Sequence, residues 1–172
     1  MDTIKFQLNA RRQPYGQGAD LILLNESVGN EVLAFHQKFP DYRVTPLRKL
    51  EFLSQRLGLG SIHIKDEAQR FGLNAFKGLG GSYAMGKYLA ALLERDINTL
   101  SFAELNSPVI KARIKDIVFV TATDGNHGRG VAWAAEQLGL RAVVYMPKGS
   151  SPVRAQNIRR HGAECTITEL NY

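Results

Sequence analysis

Two short segments hold the residues whose types and spacing could do chemistry. In the first, Asn74-Ala75-Phe76-Lys77-Gly78-Leu79-Gly80-Gly81, a lysine opens a glycine-rich stretch with helical spacing. A lysine there sits at the positive end of the helix dipole, which disfavours its charge. The neutral amine is the form that attacks a carbonyl, so imine formation is the chemistry such a residue supports. A lone lysine at a helix start is more often an ordinary solvated one. In the second, Thr121-Ala122-Thr123-Asp124-Gly125-Asn126-His127-Gly128, a glycine-containing turn joins an apolar run to a helical pattern. Backbone N–H groups at that helix start make an anion site suited to a carboxylate or a phosphate. Asp124 stands out because it repels an anion. It reads either as the helix N-cap or as a base, or selector, for a cationic substrate.

The surrounding elements must hold these segments in place. Ile117-Val118-Phe119-Val120 is a continuous apolar run, as in a buried parallel strand. Val131, Ala134, Ala135 and Leu138 then share a helix face, and Gly139 ends it. Residues 141–146 predict a second strand. Ser151-Pro152 predicts the N-cap and first position of another helix, which closes near Gly162, and residues 164–169 predict a third strand. This β-α-β-α-β order implies a parallel sheet with right-handed crossovers.

Upstream, residues 1–25 read as an extended lead-in and residues 28–38 as a helix. Thr45-Pro46 predicts a further helix start, with Leu47, Leu50, Leu53 and Leu57 as its stripe and Gly58 after it. Ile62–Lys65 alternates like a strand, and residues 66–75 read as a turn. The Lys77 helix is expected to span residues 77–94, its glycines marking close packing or a nearby ligand. Residues 96–114 read as short helices and loop. The chain stops at Asn171-Tyr172, directly after a predicted strand, so the sheet is expected to be truncated.

Composition narrows the class. The chain has 172 residues, 44% of them hydrophobic and 22% charged, as in globular proteins. No apolar run is long enough to span a bilayer. Asp2 and the lack of an apolar core near the N-terminus argue against a signal peptide. Cys165 is the one cysteine, which leaves no internal disulfide and suggests a reducing, cytoplasmic setting. The net charge of +6 is dispersed rather than gathered into a nucleic-acid-binding face.

Several motifs fail on inspection. Gly81-Ser82-Tyr83-Ala84-Met85-Gly86-Lys87-Tyr88 nearly matches a P-loop, but Tyr88 replaces the hydroxyl that holds Mg²⁺ and no strand directly precedes it. The histidines show no metal-ligand spacing, so no metal is expected. No G-x-S-x-G nucleophile elbow is present.

Taken together, the two segments resemble the fold-type II pyridoxal-phosphate enzymes, the group of tryptophan synthase β and the serine and threonine dehydratases. Asn-Ala-Phe-Lys77 is similar to the family's Ser-Phe-Lys cofactor motif. Thr123-Asp124-Gly125-Asn126-His127 is similar to its Ser-Ser/Ala-Gly-Asn-His loop. Ala135 to Gly139, Met146-Pro147 and His161 to Glu164 resemble its Leu-Gly, Met-Pro and Gly-Ala-Glu pattern. Within the family, Lys65-Asp66-Glu67, the run Arg70 to Lys77, and Thr123 to Trp133 are most similar to the diaminopropionate ammonia-lyases.

The resemblance implies an α/β fold-type II architecture, a parallel sheet with flanking helices, present as an N-terminal portion. Residues 1–80 would be the incomplete start of the larger cofactor domain, and residues 81–172 a near-complete small parallel domain. It implies pyridoxal 5'-phosphate bound through Lys77, with Asn126 on its 3′-oxygen and Phe76 beside its ring. Thr123, Gly125 and His127 would help hold the substrate carboxylate. Lys77 and Asp124 would be catalytic, one on each face of the amino acid. The implied activity is α,β-elimination of 2,3-diaminopropionate to pyruvate and ammonia, in amino-acid catabolism, by a cytoplasmic homodimer. A dehydratase or threonine synthase relative is the alternative, and Asp124 discriminates against it. A non-catalytic truncated product, or half of a split enzyme with a separately encoded C-terminal half, is the other. The family's phosphate loop lies downstream of the matched segments, so little cofactor binding and no turnover are expected of the isolated chain. Neither a nucleic acid nor a membrane is expected as a partner.

Overall fold

A computed structural model describes residues 9–12, 14 and 24–171. Most of the extended lead-in expected over residues 1–25 lies outside them. Helix α1 (Glu26–Gln37) is capped by Asn25, whose side chain accepts from Val28 N. Strands β1 (Leu47–Lys49) and β2 (His63–Lys65) pair antiparallel, Leu47 facing Lys65, with α2 (Glu51–Arg56) between them.

The helix expected from Thr45-Pro46 forms only over its second half, as α2, which begins at Glu51. Pro46 O accepts from Asp66 N at 2.9 Å, and Leu50 N donates to Ile62 O at 2.9 Å, so residues 46–50 are held extended against β2. The leucine stripe stays exposed at Leu47 and Leu57, and its helical spacing found no core to bury against. Long-range pairing outweighed local periodicity here.

A turn of 3₁₀ type (Glu67–Gly72) leads toward α3 (Lys77–Leu92). Short helices α4 (Phe102–Leu105) and α5 (Pro108–Ile114) follow, as expected for residues 96–114. Then come β3 (Val118–Ala122), α6 (Asn126–Leu138), β4 (Arg141–Met146), α7 (Pro152–Arg159) and β5 (Glu164–Ile167). The three strands form one parallel sheet in the order β3-β4-β5, with Val118 opposite Arg141 and Val143 opposite Glu164. The predicted β-α-β-α-β unit is therefore present. Among the described residues, β3 has no partner on its outer side, and Val120 there is exposed.

One hydrophobic core joins these elements. Leu138, Val144, Met146 and Ile158 fill the space between sheet and helices, and Leu89 carries the core into α3. Cys165 is buried in β5, and burial pushes its thiol up. Among the described residues no helix is long and apolar enough to cross a membrane.

His36 ties α1 to the first turn of α3. Its Nδ1 lies 2.7 Å from Val32 O, and its Nε2 lies 2.9 Å from Ser82 Oγ and 3.0 Å from Leu79 O. Ser82 Oγ in turn donates to Gly78 O at 2.8 Å. Burial lowers the His36 pKa from its ordinary 6.5. The unfolded chain thus binds the proton more readily, and stability falls as pH drops below about 6.5. The denaturant midpoint is expected to be lower at pH 5 than at pH 7.5. His36→Gln should flatten that dependence, and an unchanged slope in the variant would exclude His36 as its source.

Candidate active site

Lys77 stands at the first position of α3, reached through an unusual turn. Phe71, Gly72 and Asn74 all adopt positive φ, at 50°, 68° and 52°. Such a conformation is costly for phenylalanine and must be held by its surroundings. Here the Phe71 ring stacks on Trp133 of α6, centroids 4.3 Å apart, and Leu73 is buried beside it. Arg129 of α6 donates from Nη1 to Leu73 O at 3.0 Å and from Nη2 to Gly72 O at 3.4 Å. Its buried Nε has no partner among the described residues. The turn delivers Phe76 and Lys77 exposed, with Phe76 as the N-cap residue of α3.

The second segment leaves β3 at Ala122. Thr123 is buried, and its N–H donates to Tyr145 O at 2.9 Å, extending the ladder by one residue. Its Oγ1 accepts from Gly125 N at 3.0 Å and from Gly128 N at 3.1 Å. Thr123 therefore caps α6 from two residues before the cap position, which Gly125 occupies. Asp124 is not the N-cap; its side chain is two-thirds exposed. A helix leaves its first N–H groups without intrahelical acceptors. With Gly125 N and Gly128 N taken by Thr123, the N–H groups of Asn126 and His127 have no acceptor among the described residues.

Glycines bring the two segments together. A Cβ on Gly130 of α6 would lie 2.9 Å from Gly78 N and from both Lys77 C and Lys77 O. Gly81 packs against Val131 in the same crossing, and Gly78 faces the Trp133 ring. The helix carrying Lys77 therefore touches α6 backbone to backbone. The N-terminus of α6, with Asn126, lies about 6 Å further along its axis, one turn from Gly130. The glycines of the Lys77 helix had suggested close packing, and Gly78, Gly81 and Gly86 show it. Gly80 instead faces open space.

A cleft of about 520 Å³ runs between α3 and β3, lined among others by Gly80, Tyr88, Val120, Thr121 and His127. Neither Lys77 nor Asp124 lines it. A second, apolar recess of about 480 Å³ lies at the C-terminal strand ends, beside Ala122, Tyr145 and Thr168. Ligands of parallel α/β sheets bind outside those ends.

The residues present suit an aldehyde cofactor held beside an amino-acid carboxylate. Lys77 Nζ is exposed and makes no hydrogen bond or ion pair among the described residues, and free N–H groups open α6 nearby. Sequence reasoning missed two arginines. Arg129 braces the turn before Lys77, and Arg154 of α7 donates to Asp124 O at 3.1 Å. Both act across long sequence separations and had no local signal.

The family model described as pyridoxal-phosphate dependent enzyme matches residues 38–172. The chain is 76% identical over 171 residues to a diaminopropionate ammonia-lyase of Salmonella typhimurium, covering 99% of this chain and 42% of that protein. A crystal structure of the Escherichia coli diaminopropionate ammonia lyase with D-serine superposes at TM-score 0.82 and 49% identity, covering 88% of this chain and 38% of that one. The same enzyme with an aminoacrylate-PLP azomethine reaction intermediate superposes at 0.77 and 48% identity, covering 88% and 36%. The chain thus spans about 42% of the length of the diaminopropionate ammonia-lyases it matches.

Proposed function

The chain belongs to the pyridoxal-phosphate-dependent enzyme family, of fold type II, and on that premise we propose that the full-length protein is a diaminopropionate ammonia-lyase. The reaction converts 2,3-diaminopropionate and water to pyruvate and two ammonia. The cofactor, when bound, supplies an electron sink for the bond broken at the substrate's α-carbon.

The chain's own residues supply the rest. Lys77 provides the primary amine that holds the cofactor and moves a proton on one face of the amino acid. Asp124 moves a proton on the other face, which lets both enantiomers react. The Asn126 amide would hydrogen-bond the cofactor's 3′-oxygen, and Phe76 would pack beside its ring. Thr123, Gly125 and His127 form the carboxylate-binding turn, where the free N–H groups at the start of α6 favour an anion. The exposed Asp124 carboxylate then faces the substrate's cationic side. In this reading residues 1–80 belong to the larger domain and residues 81–172 to the smaller, with α3 carrying Lys77 between them. The protein works in amino-acid catabolism as a cytoplasmic homodimer. The free, buried thiol of Cys165 suits a reducing compartment.

The observation that carries this reading is the glycine crossing, which sets Lys77 against the helix that follows the Thr123–His127 turn. Release of 2-oxo acid by the full-length protein tests it, measured as pyruvate from diaminopropionate or serine and as 2-oxobutyrate from threonine. Diaminopropionate is expected to be the best substrate, whereas a preference for serine or threonine would point to a dehydratase. Asp124→Asn is expected to lower kcat/KM for one enantiomer by about a hundredfold, with the other changed less than about fivefold. Equal retention for both would remove Asp124 from the mechanism.

A further inference from the structure

We propose that Arg154 is a positioning residue that aims the Asp124 carboxylate, an inference that rests on the catalytic role proposed for Asp124. Its guanidinium reaches from the first turn of α7 across to the turn before α6. Nη1 donates to Asp124 O at 3.1 Å and lies 3.8 Å from Asp124 Oδ2. The arginine stem also covers the next residue. Its Cδ lies 3.1 Å, and its Nε and Nη1 each 3.6 Å, from where a Gly125 Cβ would stand. Arg154 thus holds the Asp124–Gly125 peptide from the backbone side and the carboxylate from its edge.

Two features of α7 bear on this contact. Ile158, one turn after Arg154 on the same helix face, is fully buried. Its Cδ1 sits 3.3 Å from the Cβ position of Gly128, in the turn's own continuation. The helix is therefore anchored against the same loop that Arg154 touches. Arg154 is also the third residue of α7, where a cation opposes the helix dipole.

The consequence is selective. Asp124 serves one face of the amino acid and Lys77 the other, so loosening Asp124 slows one enantiomer and spares its mirror image. A merely structural role for Arg154 would slow both alike.

The test uses the full-length enzyme carrying Arg154→Ala, Arg154→Lys or Asp124→Asn. Arg154→Ala is expected to lower kcat/KM at least fivefold for the Asp124-dependent enantiomer and less than about twofold for the other. Arg154→Lys, which keeps a donor and a charge, should hold the ratio of the two near that of the parent. Amide hydrogen exchange over residues 123–128, measured without cofactor, should quicken in Arg154→Ala and not in Arg154→Lys. If Arg154→Ala leaves the enantiomer ratio unchanged while Asp124→Asn shifts it, the positioning role is wrong and the Asp124 assignment stands. If Asp124→Asn itself leaves the ratio unchanged, the Asp124 assignment fails and the role of Arg154 falls with it.

Discussion

Replacing Lys77 by alanine in the full-length protein is expected to abolish turnover while leaving the fold intact. Lys77 is exposed, and its amine has no partner among the described residues, so little packing is lost. Alanine also suits a helix, and the change in stability should stay within about 0.5 kcal/mol. Activity depends on the amine itself. Removing a residue that carries the covalent chemistry lowers rates by about 10³-fold or more. Arginine keeps the charge but offers no amine that condenses with an aldehyde, so Lys77→Arg should fail equally. Pyruvate release measures the first effect, and the denaturation midpoint the second. Borohydride reduction followed by peptide mapping supplies an independent check. The cofactor should be fixed to the peptide containing Lys77 in the parent and to no peptide in Lys77→Ala. Fixation at another lysine would overturn the assignment.

Gly130→Ala is expected to be the most damaging single change that leaves every functional side chain in place. The added methyl would meet the carbonyl carbon and oxygen of Lys77 and the Gly78 nitrogen at 2.9 Å. These are backbone atoms in the first turn of a helix, and no rotamer change moves them aside. The helices must separate. Overpacking of this kind costs about 2–3 kcal/mol, or roughly 5–10 °C in Tm for a domain of this size. The separation falls at Lys77, so activity should drop with stability. Gly80→Ala is the control: nothing lies within 4 Å of its added methyl, and alanine favours the helix. It should leave Tm unchanged or raise it slightly. A Gly130→Ala protein with parental Tm and turnover would show that the crossing does not set the site.

The parts of this site visible in the sequence were those encoded locally. The strand at residues 141–146, the helix beginning at Lys77 and the left-handed Gly139 cap follow from patterns a few residues wide. Thr123 was legible as part of a loop, but its double role as acceptor was not, because Asp124 offered a better local N-cap. Residues 47–50 failed for the opposite reason. Their leucine spacing is helical, yet their hydrogen bonds go to residues beyond the next helix. Arg129 and Arg154 look like solvated charges on a linear reading. Each gains its meaning from a carbonyl placed beside it only by the tertiary fold.

The order of pairing along the chain also bears on how the molecule assembles. Paired strands of the parallel sheet are separated by one helix and its turns, as Val118 with Arg141 and Val143 with Glu164. The contact between Gly78 and Gly130 joins residues more than twice as far apart in sequence. Closing the longer loop carries the larger entropic cost, so it gains from a sheet already formed. Loop-closure cost thus favours docking of the Lys77 helix onto a sheet that has already formed. Opening of that same contact would unmake the site while the sheet stays folded, so catalytic competence can be lost without global unfolding.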